Sequence, residues 1–97
     1  MWIGWIELDL RLGDVHSLKT KRSIVRPIIA EVRRRYQVSV AETGHVDKHR
    51  RAGIGASVVS GDRAHVVEVL DAIEQLVAYH PETEVLSARR HVGRADD

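Results

Sequence analysis

Residues 2–12, WIGWIELDLRL, alternate with a period of two. Trp2, Gly4, Ile6, Leu8, Leu10 and Leu12 fall on one side, and Ile3, Trp5, Glu7, Asp9 and Arg11 on the other. Successive side chains of a strand point to opposite faces, so the run predicts a long strand with one apolar face. Gly13-Asp14 breaks it, and Ser17 is a good N-cap for a helix beginning at Leu18. Leu18, Ile24, Val25, Ile28, Ile29, Val32 and Tyr36 then recur at helical spacing. Pro27 stands inside that pattern, where its ring removes a backbone donor, so a bend or a break is expected there. QVSVAETG, residues 37–44, predicts a second strand, and residues 43–53, TGHVDKHRRAG, a polar connection. In the third strand, residues 52–60, Ala52, Ile54, Ala56 and Val58 share one face, and Gly53, Gly55, Ser57 and Val59 the other. Ser60 or Asp62 caps a second helix with the stripe Val66, Leu70, Ile73 and Val77, ended by Tyr79-His80-Pro81. TEVLSARRHV, residues 83–92, is a weaker last strand.

The order β-α-β-β-α-β, with right-handed crossovers, predicts an α+β fold of the ferredoxin-like kind: a four-stranded antiparallel sheet with both helices on one face. Ninety-seven residues suffice for one core, so a single domain is expected over 1–92, with 93–97 as a frayed tail. An apolar content of 43% and a charged content of 30% exclude a disordered chain. The absence of cysteine excludes disulfides and thiolate chemistry. The N-terminal run has no basic leader and carries Glu7, Asp9 and Arg11, so neither a signal peptide nor a membrane span is expected, and a cytoplasmic location is.

The face that the helices leave open should carry Ile3, Trp5, Glu7, Asp9 and Arg11 beside Gly53, Gly55, Ser57 and Val59. RNA-recognition modules place stacking aromatics on such a face. Here only Trp5 can stack, and Glu7 and Asp9 repel phosphate, so readout of that kind is disfavoured. Ile3, Trp5 and Val59 beside small residues suit packing against a second copy, which predicts a homo-oligomer.

A net charge of +1 dictates no polyanionic partner, so the placement of charge has to decide. Seven of the fifteen Lys and Arg residues lie on the first helix, whose only acid is Glu31. Arg33, Arg34 and Arg35 suit the negative end of a helix dipole. Lys19, Lys21 and Arg22 crowd the opposite end, where cations gain nothing locally unless an anion is held there. With Arg26, and with Lys48, Arg50 and Arg51 of the middle connection, they form the candidate nucleic-acid or anion-binding set. His45, Asp47 and His49 have no recognised zinc spacing and lack a further ligand, so no metal is expected. Glu42, His45 and Asp47 could pair a base with an orienting group, but no pocket is evident in the sequence. Ser17 beside His16 is better explained as a cap than as a nucleophile. No catalytic residue and no cofactor is expected.

ELDLRL, HSLKTKRSIVRPII, VSVAETGHVD and VVSGDRAHV together resemble the YlxP-type family of small bacterial proteins of unknown function. The resemblance covers nearly the whole chain and implies a ferredoxin-like fold. The family's genes often lie near those for translation initiation and ribosome maturation, which implies, by association, a link to RNA or the ribosome. Its pattern falls on His16, Ser17, Leu18, Lys19, Lys21 and Arg22, on Val40, Ala41, Glu42 and Asp47, and on Val59, Ser60 and Asp62. It transfers no catalytic residue. Pro27 departs from the family's continuous helix. The leading expectation is therefore a non-enzymatic protein that binds RNA or the ribosome through its basic helix and loop. A self-associating module without a nucleic-acid role is the alternative.

Overall fold

The structure, a computed structural model, describes residues 1–96. Six elements follow in the order β1 (Trp2–Leu12), α1 (Leu18–Tyr36), β2 (Ser39–Gly44), β3 (Arg51–Ser60), α2 (Arg63–Ala78) and β4 (Thr83–Arg94). The strands form one antiparallel sheet in the order β2-β3-β1-β4. The long alternating strand is therefore central, as its length and apolar face require. Ile3 lies opposite Val59, Trp5 opposite Ser57, Glu7 opposite Gly55 and Asp9 opposite Gly53. This is the ferredoxin-like α+β architecture, and the composition of the open face agrees with the sequence pattern.

Ile6, Leu8, Leu10 and Leu12 of β1 and Ala52, Ile54, Ala56 and Val58 of β3 are buried beneath the helices. Val25, Ile28 and Val32 of α1 and Val66, Leu70, Ile73 and Val77 of α2 close the core from above. Burying side chains of this size contributes about 1.5–3 kcal/mol each, which fixes the strand register as firmly as the hydrogen bonds do. Gly4 lets α2 approach the sheet closely: a Cβ there would lie 2.3 Å from Val66 Cγ1 and 3.1 Å from Leu70 Cδ1.

Ser17 caps α1, its side chain accepting from the Thr20 N–H at 3.1 Å. Asp62, not Ser60, caps α2, accepting from the Ala64 N–H at 3.0 Å, while Ser60 Oγ accepts from the Asp62 N–H. The break expected at Pro27 is absent, and α1 runs through it as one element. Pro27 and Ser23 are both exposed, so the carbonyl that loses its helical donor can turn to water. At the other end, Gln37 takes a left-handed conformation and its N–H donates to the Arg33 carbonyl. β4 extends two residues beyond the expected 92, to Arg94, and the Ala95 N–H donates to the Met1 carbonyl at 3.1 Å. Residues 93 and 94 of the expected frayed tail are thus part of the sheet, and Asp97 lies outside the described residues. No helix among the described residues is long and apolar enough to cross a membrane.

Candidate functional site

The N-terminal half of α1 divides its cations between the interior and the surface. Lys21 is only 1% exposed. It lies four residues before Val25 and seven before Ile28, on the stripe that faces the core. Its Nζ forms an ion pair with Glu42 Oε2 at 2.8 Å and donates to the His45 carbonyl at 2.6 Å, with the Val46 carbonyl at 3.4 Å. Glu42 points inward because it shares strand parity with buried Val40. His45, left-handed with φ 55°, turns the chain at the end of β2, and its carbonyl also accepts from the Lys48 N–H at 3.0 Å. One ammonium thus ties α1 to β2 and to the start of the following loop. This corrects the expectation for Lys21: its charge is consumed inside the fold and cannot serve as a phosphate contact.

Lys19, Arg22 and Arg26 remain on the surface, at spacings of three and four that place them on one side of α1. None of the three side chains has a hydrogen bond or ion pair among the described residues, and the same holds for the exposed side chain of Lys48. Arg50 is exposed, donates weakly to the Val15 carbonyl at 3.4 Å and lies 3.8 Å from Asp14. Residues 45–50 are therefore fastened to α1 by Lys21 and to the chain before α1 by Arg50. This brings Lys48 and Arg50 to the same end of the molecule as Lys19 and Arg22. Between α1 and the end of β2 lies a cavity of about 290 Å³ lined by Leu18, Lys21, Arg22, Val25, Arg26, Ile29, Glu42 and Val46. The sequence patterns gave no sign of it, because it forms only where helix and strand meet. Farther along α1, Arg33 donates to the Val40 carbonyl at 2.9 Å and so braces β2.

Arg51 belongs to a different surface. Its Nη2 pairs with Asp9 Oδ2 at 2.6 Å on the open face and lies 3.3 Å from His45 Nε2. That pairing removes Arg51 from the basic set and corrects its expected role. His45 Nε2 stands 3.4 Å from Asp9 Oδ1. The Arg51 hydrogen bond, aided by the charges of Arg51 and His45, holds the Asp9 carboxyl below its ordinary range despite partial burial. Glu7 is held down in the same way, by hydrogen bonds from Arg89 and from Thr43 Oγ1. The acids of the open face are thus already neutralised within the chain. The remaining part of this face is apolar: Ile3, Trp5 and Val59 are 37%, 40% and 62% exposed, and the Trp5 ring lies 6.4 Å from that of His91.

Glu42 and His45 diverge, Glu42 to the helix side and His45 to the open face, so the conceivable acid–base pairing with Asp47 has no common site. His49 and Asp47 are exposed on the loop. Among the described residues no three His, Cys, Asp or Glu side chains gather in a way that could hold a metal ion.

These features define a small ferredoxin-like α+β protein with a self-neutralised sheet face and an unneutralised cationic ridge on its first helix. Residues 3–90 match the family described as "Protein of unknown function (DUF503)", and the chain belongs to that family. It is similar to the uncharacterized protein YlxP of Bacillus subtilis (strain 168), with 30% identity over 82 residues that cover 84% of this chain and 89% of that protein. A solved structure of a mutant of SnoaB, a cofactor-independent oxygenase from Streptomyces nogalater, overlays with a TM-score of 0.52. That overlay covers 99% of this chain and 94% of the other at 10% identity, a likeness of fold alone.

Proposed function

We propose that this is a non-enzymatic cytoplasmic protein that binds RNA, free or in the ribosome, through the ridge of Lys19, Arg22 and Arg26 with Lys48 and Arg50 beside it. The observation that carries this reading is that the side chains of Lys19, Arg22 and Arg26 have no partner among the described residues, while several other cations of α1 and β3 do. Lys21, Arg51 and Arg33 each have an internal partner, and the open-face acids have cations of their own. Fixed cations left without partners on one ridge attract a phosphate chain and gain from counterion release. About four phosphate contacts to a single strand imply that log K falls against log salt with a slope of about −3. Titration of a labelled single-stranded RNA at several salt concentrations tests this, with Lys19, Arg22 and Arg26 changed together to Ala. The expected results are a slope near that value and a loss of binding in the triple variant. An affinity indifferent to salt or to the triple change would refute it.

Exposed Ile3, Trp5 and Val59 favour a second property, self-association through the open sheet face. Ile3 and Val59 are directly opposed, with Trp5 two residues along β1, so the patch is continuous. Light scattering on the wild-type chain and on Trp5→Glu tests it. An oligomer reduced to monomer mass is expected, and a wild-type monomer would remove this reading.

A further inference from the structure

We propose that the cavity between α1 and the end of β2 receives one nucleotide unit, with the base inside and its phosphate on Arg22 and Arg26. The inference rests on the reading of α1 as a polyanion surface and names the ligand of its groove. The cavity holds about 290 Å³, enough for one heterocyclic base with room to spare and too little for an extended ligand. Its walls are apolar, with Leu18, Val25 and Ile29 on the helix side. Val46, 62% exposed, forms part of the other side, on the turn whose carbonyls face the Lys21 ammonium. The polar end is made by Glu42, whose Oε2 is engaged with Lys21 while Oε1 has no ion pair. Arg22 and Arg26, whose side chains have no partner among the described residues, line the same cavity.

Three chemistries are thus demanded of one ligand: apolar faces, a hydrogen-bond donor on one edge and an anion alongside. A hydrocarbon chain would cover Glu42 Oε1 without a donor, which is costly for a charged acceptor. An inorganic phosphate would leave the apolar walls wet. A base with an exocyclic amino group meets all three, because its faces pack on side chains and its edge donates to a carboxylate. Cytosine, adenine and guanine fit. Uracil has no amino group, and its N3–H lies between two carbonyls that would face the Glu42 carboxylate, so it is disfavoured. The same unit can come from a free nucleotide or from an unpaired residue of RNA, and Lys19 lies where a neighbouring phosphate of RNA would follow.

The test compares the full chain against oligocytidylate, oligouridylate, an RNA duplex and inorganic polyphosphate of matched charge, by fluorescence competition at one salt concentration. Packing the faces of one base against the aliphatic walls takes apolar surface out of water, so oligocytidylate should exceed polyphosphate and duplex by about tenfold. Oligouridylate should fall between them. Val46→Ser, at an exposed position, should abolish the preference and leave polyphosphate binding unchanged. Cytidine monophosphate that shifts the NMR methyl signals of Val46 and Ile29 identifies a free nucleotide as the ligand, and shifts seen only with the oligomer identify RNA. Equal binding of all four polyanions, or a preference that survives Val46→Ser, overturns the groove while the polyanion surface stands. Failure to bind any of them overturns both.

Discussion

Replacing Lys21 by methionine removes an ammonium while keeping most of the apolar stem in place. The wild-type side chain holds Glu42 Oε2 at 2.8 Å and the His45 carbonyl at 2.6 Å, and the two side chains of the pair are 2% and 23% exposed. Breaking a fully buried pair from one side costs about 3–5 kcal/mol, because the other charge is left stranded. Glu42 keeps access to water, which relieves part of that penalty, so a loss of about 2–3 kcal/mol is expected. Domains of this size have about 5–15 kcal/mol in total, so the loss is a large fraction. With a urea dependence of about 1–3 kcal/mol per molar, the unfolding midpoint should fall by about 0.7–3 M. Adding Glu42→Gln removes the stranded charge, so the double variant should be more stable than Lys21→Met alone and the two changes should be strongly non-additive. The assay is urea unfolding followed by tryptophan fluorescence and circular dichroism, with polyanion binding measured on the same samples. An unchanged midpoint in Lys21→Met would refute the reasoning. If polyanion binding were lost at the same time, Lys21 would return to the contact surface.

Gly4→Ala should destabilise the fold by about 1–3 kcal/mol, since its methyl would meet the stiff Val66 side chain at 2.3 Å and α2 must shift; thermal unfolding measures this, and Val66→Ala in the same chain should recover part of the loss. Asp9 and Glu7 give a pH dependence: both carboxyls are lowered from ordinary values of 3.8 and 4.5, so they add stability above that range and lose it as acid protonates them. Urea midpoints from pH 7 down to pH 3 should therefore fall less steeply in Asp9→Asn than in the wild type, and parallel curves would contradict the Arg51 pairing.

Much of the fold is legible because its signals are local and repeated. The alternation of β1 assigns Leu8 to the core and Glu7 to the open face with no knowledge of partners, and the observed register of Glu7 against Gly55 follows from it. Ser17 before an apolar helical stripe is likewise sufficient to start α1. Pro27 misleads, because its cost depends on whether the freed carbonyl can reach water, and only the packed helix reveals that side to be exposed. The charged residues were less legible for the same reason. Lys21 sits at core spacing, four before Val25, yet a long flexible side chain at such a position can reach outward or inward. An acid at the right height of a neighbouring strand decides between them.

By itself, then, the sequence determined the order of the elements, the faces of the two central strands, the Ser17 cap and the basic excess of the first helix. These depend on periodicity and on charge counts within a few residues. Tertiary structure alone decided which cations were left over. Lys21 met Glu42 across 21 positions, Arg51 met Asp9 across 42 and Arg33 met the Val40 carbonyl, while the side chains of Lys19, Arg22 and Arg26 met no partner among the described residues. Ion pairing acts over a few ångströms in space and is blind to distance along the chain. Which cations stay without partners could therefore be read only after the fold had paired off the rest.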